Sequence, residues 1–161
     1  MNNAAISSAF ERFKHQTILV IGDIIVDAYC RGSVTRVSPE APVPILDIKS
    51  REYRLGGAAN VALNIHGMGA KPVLCSIVGK DHGAKQVQEL MHAQGLSTDG
   101  VFKSEERITS VKTRLMSGHH QLLRMDEEQT DFISETDRDT LMAFILTFIA
   151  NENPDAIIFE D

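Results

Sequence analysis

Short apolar runs alternate along this chain with apolar stripes of helical period, and that alternation predicts an α/β protein. Residues 4 to 14 carry a short amphipathic pattern, and Thr17 to Ile21 (TILVI) then form an unbroken apolar run that ends at Gly22. A strand apolar at every position is one covered on both faces, as in a parallel sheet. The order then repeats: GGAANVALNIHGMGA from Gly56 reads as a helix stopped by Gly67 and Gly69, and Pro72 to Val78 (PVLCSIV) reads as the next buried strand. Val87, Leu90 and Met91 share one face of a helix over residues 83 to 94, which Gly95 closes before a short strand around Gly100 to Phe102. The last helix is the clearest, with Leu141, Phe144, Ile145, Phe148 and Ile149 forming a core-facing stripe. Ser134 with Asp137 resembles a capping arrangement at its start, Pro154 ends the helical region, and Ala156 to Phe159 give one more strand.

Two stretches break this rhythm. Val26 to Arg54 and Ile108 to Asp126 lack helical period and are rich in β-branched or alternating residues, so they read as antiparallel ribbons. Within the first, SPEAPVP from Ser38 to Pro44 is a proline-punctuated connection. The simplest architecture is a single α/β sheet flanked by helices, with the ribbons protruding as a β-strand lid. There is no internal repeat, low-complexity tract or flexible linker. Because the last strand reaches Asp161 with no helix after it to cover it, residues 1–161 are expected to be the N-terminal part of an incomplete domain.

Composition narrows the function classes. A net charge of -6 argues against a nucleic-acid surface, so any anionic ligand must meet a local basic pocket. Cys30 and Cys75 lie far apart and fit no metal-ligand spacing, which suits free thiols in a reducing compartment. The six histidines show no paired ligand spacing, so no metal site is expected. The first residues carry charges where a signal peptide needs an apolar stretch, and no run reaches membrane-spanning length. A cytoplasmic location without membrane contact is the expectation.

Candidate chemistry begins at IGDIIVD, where Asp23 and Asp27 follow the first strand, the place at which α/β folds set ligand groups. Carboxylates accept hydrogen bonds from sugar hydroxyls; equally, Asp23 could cap a turn and Asp27 could be solvated. No G-x-G-x-x-G loop follows that strand and no Walker A loop occurs in the chain, so a dinucleotide site fits poorly. Gly56, Gly57 and Asn60 open a helix with small residues that admit a ligand to the backbone, or that only permit a tight turn. Lys112 and Arg114 sit two apart in a strand and share a face, which could be a binding face or a plain charged exterior.

In register, Gly56, Gly57, Ala58, Asn60, Ala62, Gly69 and Gly79 resemble the N-terminal signature of the ribokinase-like carbohydrate kinases, with Asp23 and Asp27 where that family binds its sugar. RVSPEAPVPILDI (Arg36 to Ile48), RLGGAANVALNI (Arg54 to Ile65) and the frame of Lys112, Arg114, Gln121, Arg124 and Asp126 resemble the kinase half of ADP-heptose synthases, from the first strand to Asp161. Gly118-His119-His120 departs from that pattern, which expects a more basic, amide-bearing turn.

The resemblance implies a Rossmann-type sheet and transfer of the ATP γ-phosphate to the anomeric hydroxyl of D-glycero-D-manno-heptose 7-phosphate, on the route to ADP-heptose and lipopolysaccharide. It implies a small-molecule sugar phosphate as partner, held at its anionic end by Lys112, Arg114 and Arg124. It also implies homodimers paired through the lid, and ATP with Mg2+ as cofactors of the whole kinase. Asp161, finishing the last strand beside Glu160, is placed for a metal-phosphate or sugar contact, although a chain terminus also frays. Such kinases carry the base and the anion hole in a later Gly-Ala-Gly-Asp segment, which this sequence lacks. No catalytic residue is therefore assigned, no cofactor is expected to bind this chain tightly, and the chain alone is expected to be inactive. Two alternatives stand: a non-catalytic sugar-binding or dimerisation module, and a kinase of the same family for fructose 6-phosphate, ribose or a nucleoside.

Overall fold

A computed structural model of the chain describes residues 3–160. In order, the elements are α1 (Asn3–Phe13), β1 (Thr17–Gly22), β2 (Ile24–Val37), β3 (Pro44–Gly57), α2 (Ala58–Gly67), β4 (Lys71–Val78), α3 (His82–Ala93), β5 (Val101–Lys103), β6 (Ser110–Ser117), β7 (His120–Glu127), α4 (Glu135–Glu152) and β8 (Ala156–Glu160). They build two four-stranded sheets, one forming the body and one the lid.

The body sheet runs β5-β4-β1-β8 with every pair parallel. Successive side chains point to opposite faces, so the apolar runs feed two cores at once. On one face Val20, Leu74 and Val78 pack with Ala62 and Ile65 of α2 and with Val87 and Met91 of α3. On the other, Leu19, Val73 and Cys75 meet Ile145 of α4, with Leu141, Phe144, Phe148 and Ile149 around it. The α4 stripe read from the sequence is the stripe that covers this face.

The start of α4 is capped by Ser134 with Asp137 as expected, and Asp137 makes a further bond. Ser134 accepts from the Asp137 N–H at 3.2 Å, and the Asp137 carboxylate accepts from the Ser104 hydroxyl at 2.6 Å, tying α4 to the loop after β5. The buried Ser104 hydroxyl needs an acceptor, and Asp137 in the first turn of α4 supplies it.

In the lid, β2 pairs antiparallel with β3, and β6 pairs antiparallel with β7. The two ribbons are not separate: β2 also pairs parallel with β6, from Ile25 beside Ser110 to Gly32 beside Ser117, giving one sheet of order β3-β2-β6-β7. Only Asp23 separates β1 of the body from β2 of the lid.

Candidate functional site

Residues paired across neighbouring strands share a face, so the lid registers can be read as rows. One row sets Gly56 beside Ile25 and Ser110; the next sets Arg54, Asp27, Lys112 and Asp126 side by side; the third sets Glu52, Tyr29, Arg114 and Arg124. The intervening residues Val26, Ala28 and Cys30 are buried on the opposite face. Asp27, Gly56, Lys112, Arg114 and Arg124 are thus gathered on one polar face, as separate stretches of sequence could not show.

At the base of that face the Asp27 carboxylate accepts from Arg114 Nη1 at 2.5 Å, both side chains being less than a quarter exposed. That hydrogen bond holds the Arg114 guanidinium above its ordinary range, against the opposing pull of desolvation. The other Asp27 oxygen lies 2.7 Å from where a Cβ on residue 56 would stand, so glycine there is what lets the carboxylate settle over the backbone. Gly57 has φ 57 and ψ -141, and a side chain there would collide with the Asp23 carbonyl, which accepts from the Ala58 N–H at 2.9 Å. Both glycines therefore serve close packing, and Gly56 in addition fixes where Asp27 sits.

Asp23 is exposed and lines a hollow of about 520 Å³ beyond the carboxyl ends of β1 and β8, with Lys112, Arg107, Glu128 and Glu160. Lys112 Nζ is 3.3 Å from Glu128 there. Asn60 is not brought to this hollow. It is exposed on the first turn of α2, and lines a separate hollow of about 350 Å³ with Glu52 and Arg54 at the edge of β3. Asp161 lies outside the described residues.

Sequence reasoning missed a cluster further out on the same face. The guanidinium carbons of Arg31, Arg54 and Arg114 stand 5.3, 5.1 and 5.3 Å from the centre of the Tyr29 ring. Glu52 meets two of them, at 2.6 Å from Arg54 Nε and 3.8 Å from Arg31 Nε. The alternation Asp27, Tyr29, Arg31 was the available pointer, since it puts all three on one side of β2. Arg124, in contrast, spends both of its bonds on Asp126, each at 2.9 Å. Among the described residues no group of three or more His, Cys, Asp or Glu side chains could hold a metal ion.

A parallel sheet capped by helices, with a β lid whose polar face begins at the strand ends, is the ribokinase-like fold. Among solved structures, a carbohydrate kinase from Agrobacterium tumefaciens superposes with a TM-score of 0.54 at 22% identity, over 70% of this chain and 35% of that one. A nucleoside kinase from Methanocaldococcus jannaschii, described as an archaeal member of the ribokinase family, gives 0.52 at 21%, over 70% and 36%. At such identities the likeness is one of fold. The model of the pfkB family of carbohydrate kinases matches residues 15–149, and the chain belongs to that family. Its curated relatives include the bifunctional protein HldE of Methylobacillus flagellatus, 41% identical over 144 residues, which are 89% of this chain and 29% of the relative. The bifunctional protein HldE of Helicobacter pylori is also 41% identical over 144 residues, 89% of this chain and 31% of that protein. The chain spans less than a third of the length of these relatives.

Proposed function

We propose that this chain supplies the sugar-binding part of an ATP-dependent carbohydrate kinase acting on D-glycero-D-manno-heptose 7-phosphate at its anomeric hydroxyl, within ADP-heptose and lipopolysaccharide synthesis in the cytoplasm. The observation that carries this reading is the Asp27 carboxylate, seated over Gly56 and held by Arg114 at the base of the polar face of the lid. A carboxylate so fixed is ready to accept two sugar hydroxyls without reordering itself. Identity of 41% to HldE proteins supports the heptose in preference to other sugars.

In this reading Asp23 accepts from a hydroxyl near the reacting end of the sugar. Gly56 and Gly57 hold the lid against α2. Lys112, Arg114 and Arg124 form the cationic side, and Asp161 follows Glu160 at the end of β8. ATP and Mg2+ belong to the whole enzyme, where they supply the transferable phosphoryl group and screen its charge. Without a Gly-Ala-Gly-Asp segment the chain has no base or anion hole of its own for that transfer. Two copies pair through the lid, a reading favoured by the exposed Val37 and Val43 near the β2–β3 turn and Leu123 and Met125 of β7.

Calorimetric titration of the chain with heptose 7-phosphate tests the proposal. Saturable binding that Asp27→Asn abolishes, with the fold retained by circular dichroism, is the expected result. No binding by the unaltered chain, or ATP turnover by it at the rate of a complete kinase, overturns the reading in its binding or its inactivity half respectively.

A further inference from the structure

Three arginines from three different strands converge on Tyr29: Arg31 from β2, Arg54 from β3 and Arg114 from β6. Guanidiniums that share one ring at about 5 Å lie within roughly twice that distance of one another, and like charges so close repel unless an anion is among them. Among the described residues only two carboxylates answer them, Asp27 to Arg114 and Glu52 to both Arg31 and Arg54. One positive charge is left over, in a chain whose net charge is -6. The neighbouring cations are already matched one to one, Lys112 by Glu128 and Arg124 by Asp126. The side chains of Arg31 and Arg54 are 41% and 55% exposed, so a ligand can reach them.

Position along the strand adds to charge. Two residues of strand advance about 6.6 Å, so Tyr29 and Arg31 stand about 7 and 13 Å beyond Asp27, a separation suited to the far end of a six- or seven-carbon sugar. We propose that Arg31, Arg54 and Arg114 around Tyr29 seat the terminal phosphate of a sugar phosphate, and so select phosphorylated over unphosphorylated sugars. The proposal rests on the carbohydrate reading of this face. It moves the anion away from Lys112 and Arg124 and turns the opposite end of the sugar toward Asp23. Planar guanidinium forks match phosphate oxygens in pairs, which a lysine in their place could not do.

The test titrates the 161-residue chain with sedoheptulose 7-phosphate, sedoheptulose and inorganic phosphate. The phosphorylated sugar is expected to bind at least about tenfold more tightly than the free sugar. Arg31→Gln and Arg54→Gln each remove most of that preference and leave the free sugar unchanged, while Arg138→Gln, an exposed arginine paired with Asp139 on α4, alters either affinity less than about twofold. Arg54→Lys, which keeps the charge and the exposed position, restores only part of the loss and guards against a folding defect. Equal binding of both sugars, or a preference that survives in Arg31→Gln and Arg54→Gln, overturns the phosphate seat. If the arginines govern binding but Asp27→Asn leaves it intact, the seat stands and the carbohydrate reading falls. No binding of any of the three probes overturns both.

Discussion

Asp27 of β2 and Arg114 of β6 form an ion pair of 2.5 Å between residues 87 apart in sequence, and this pair ties one ribbon of the lid to the other. With both side chains more than three-quarters buried, Asp27→Asn leaves Arg114 short of its counter-charge in a partly dry site. A loss of about 1–2 kcal/mol is expected, read as a lower urea midpoint with an unchanged slope. An unchanged midpoint would mean the pair contributes nothing to holding the ribbons together.

Gly57→Ala should be the more damaging change. It puts a side chain at φ 57, ψ -141 and drives it into the Asp23 carbonyl. The expected cost is about 2–3 kcal/mol or more, visible as a melting temperature lower by at least several degrees. Gly67→Ala, where an added Cβ meets nothing within 4 Å, serves as the control and should stabilise slightly or do nothing.

Asp81 makes stability depend on acid. Burial alone would raise its carboxyl pKa, but the N–H groups of Thr109 and Ala84, the Thr109 hydroxyl and the Gly83 N–H outweigh burial and hold it below the ordinary value. A group depressed in the folded state contributes stability above its unfolded pKa, near 3.8, and loses it as pH falls through the folded value. Acid titration of the melting temperature should therefore drop steeply below about pH 4. Asp81→Asn should be less stable at neutral pH and flatter below pH 4; a parallel curve would rule the contribution out.

Burial pushes the Cys75 thiol up to about 12. With a fully buried sulfur and no thiolate near neutral pH, it should not react with a disulfide reagent in the native chain, and should react at once in denaturant. Fast native labelling of Cys75, located by mass spectrometry, would contradict the packing of β4 between its two helical layers.

The body of the fold could be read from local pattern because each of its cues is short-range. TILVI and PVLCSIV announce buried parallel strands by being apolar throughout, and the stripe from Leu141 to Ile149 announces a helix by its period. The lid could be read only as two ribbons, because the parallel pairing of Ile25 with Ser110 joins residues with no shared local pattern. Asp27 could be picked out because it follows a strand end; that its carboxylate fills the space over Gly56 is a three-dimensional fact with no trace in either motif. Arg31 and Arg54 were passed over for a related reason. Singly, each is an ordinary charge on an exposed strand, and only the shared Tyr29 ring makes them a group.

A single residue joins β1 to β2, but Val26 and Leu55 at the base of the lid are buried in one core with Ala59 of α2 and Val87 and Met91 of α3, so the lid is an arm anchored at its base and free only toward its outer end. Asp27 lies about 13 Å along that arm and Arg31 about 26 Å, counting strand rise from Asp23. Any bending of the arm beyond its buried base moves the outer arginine more than the inner carboxylate. A ligand gripped at both places would feel the bending mostly at its charged tail, so the tail has the leverage and the inner end stays in register.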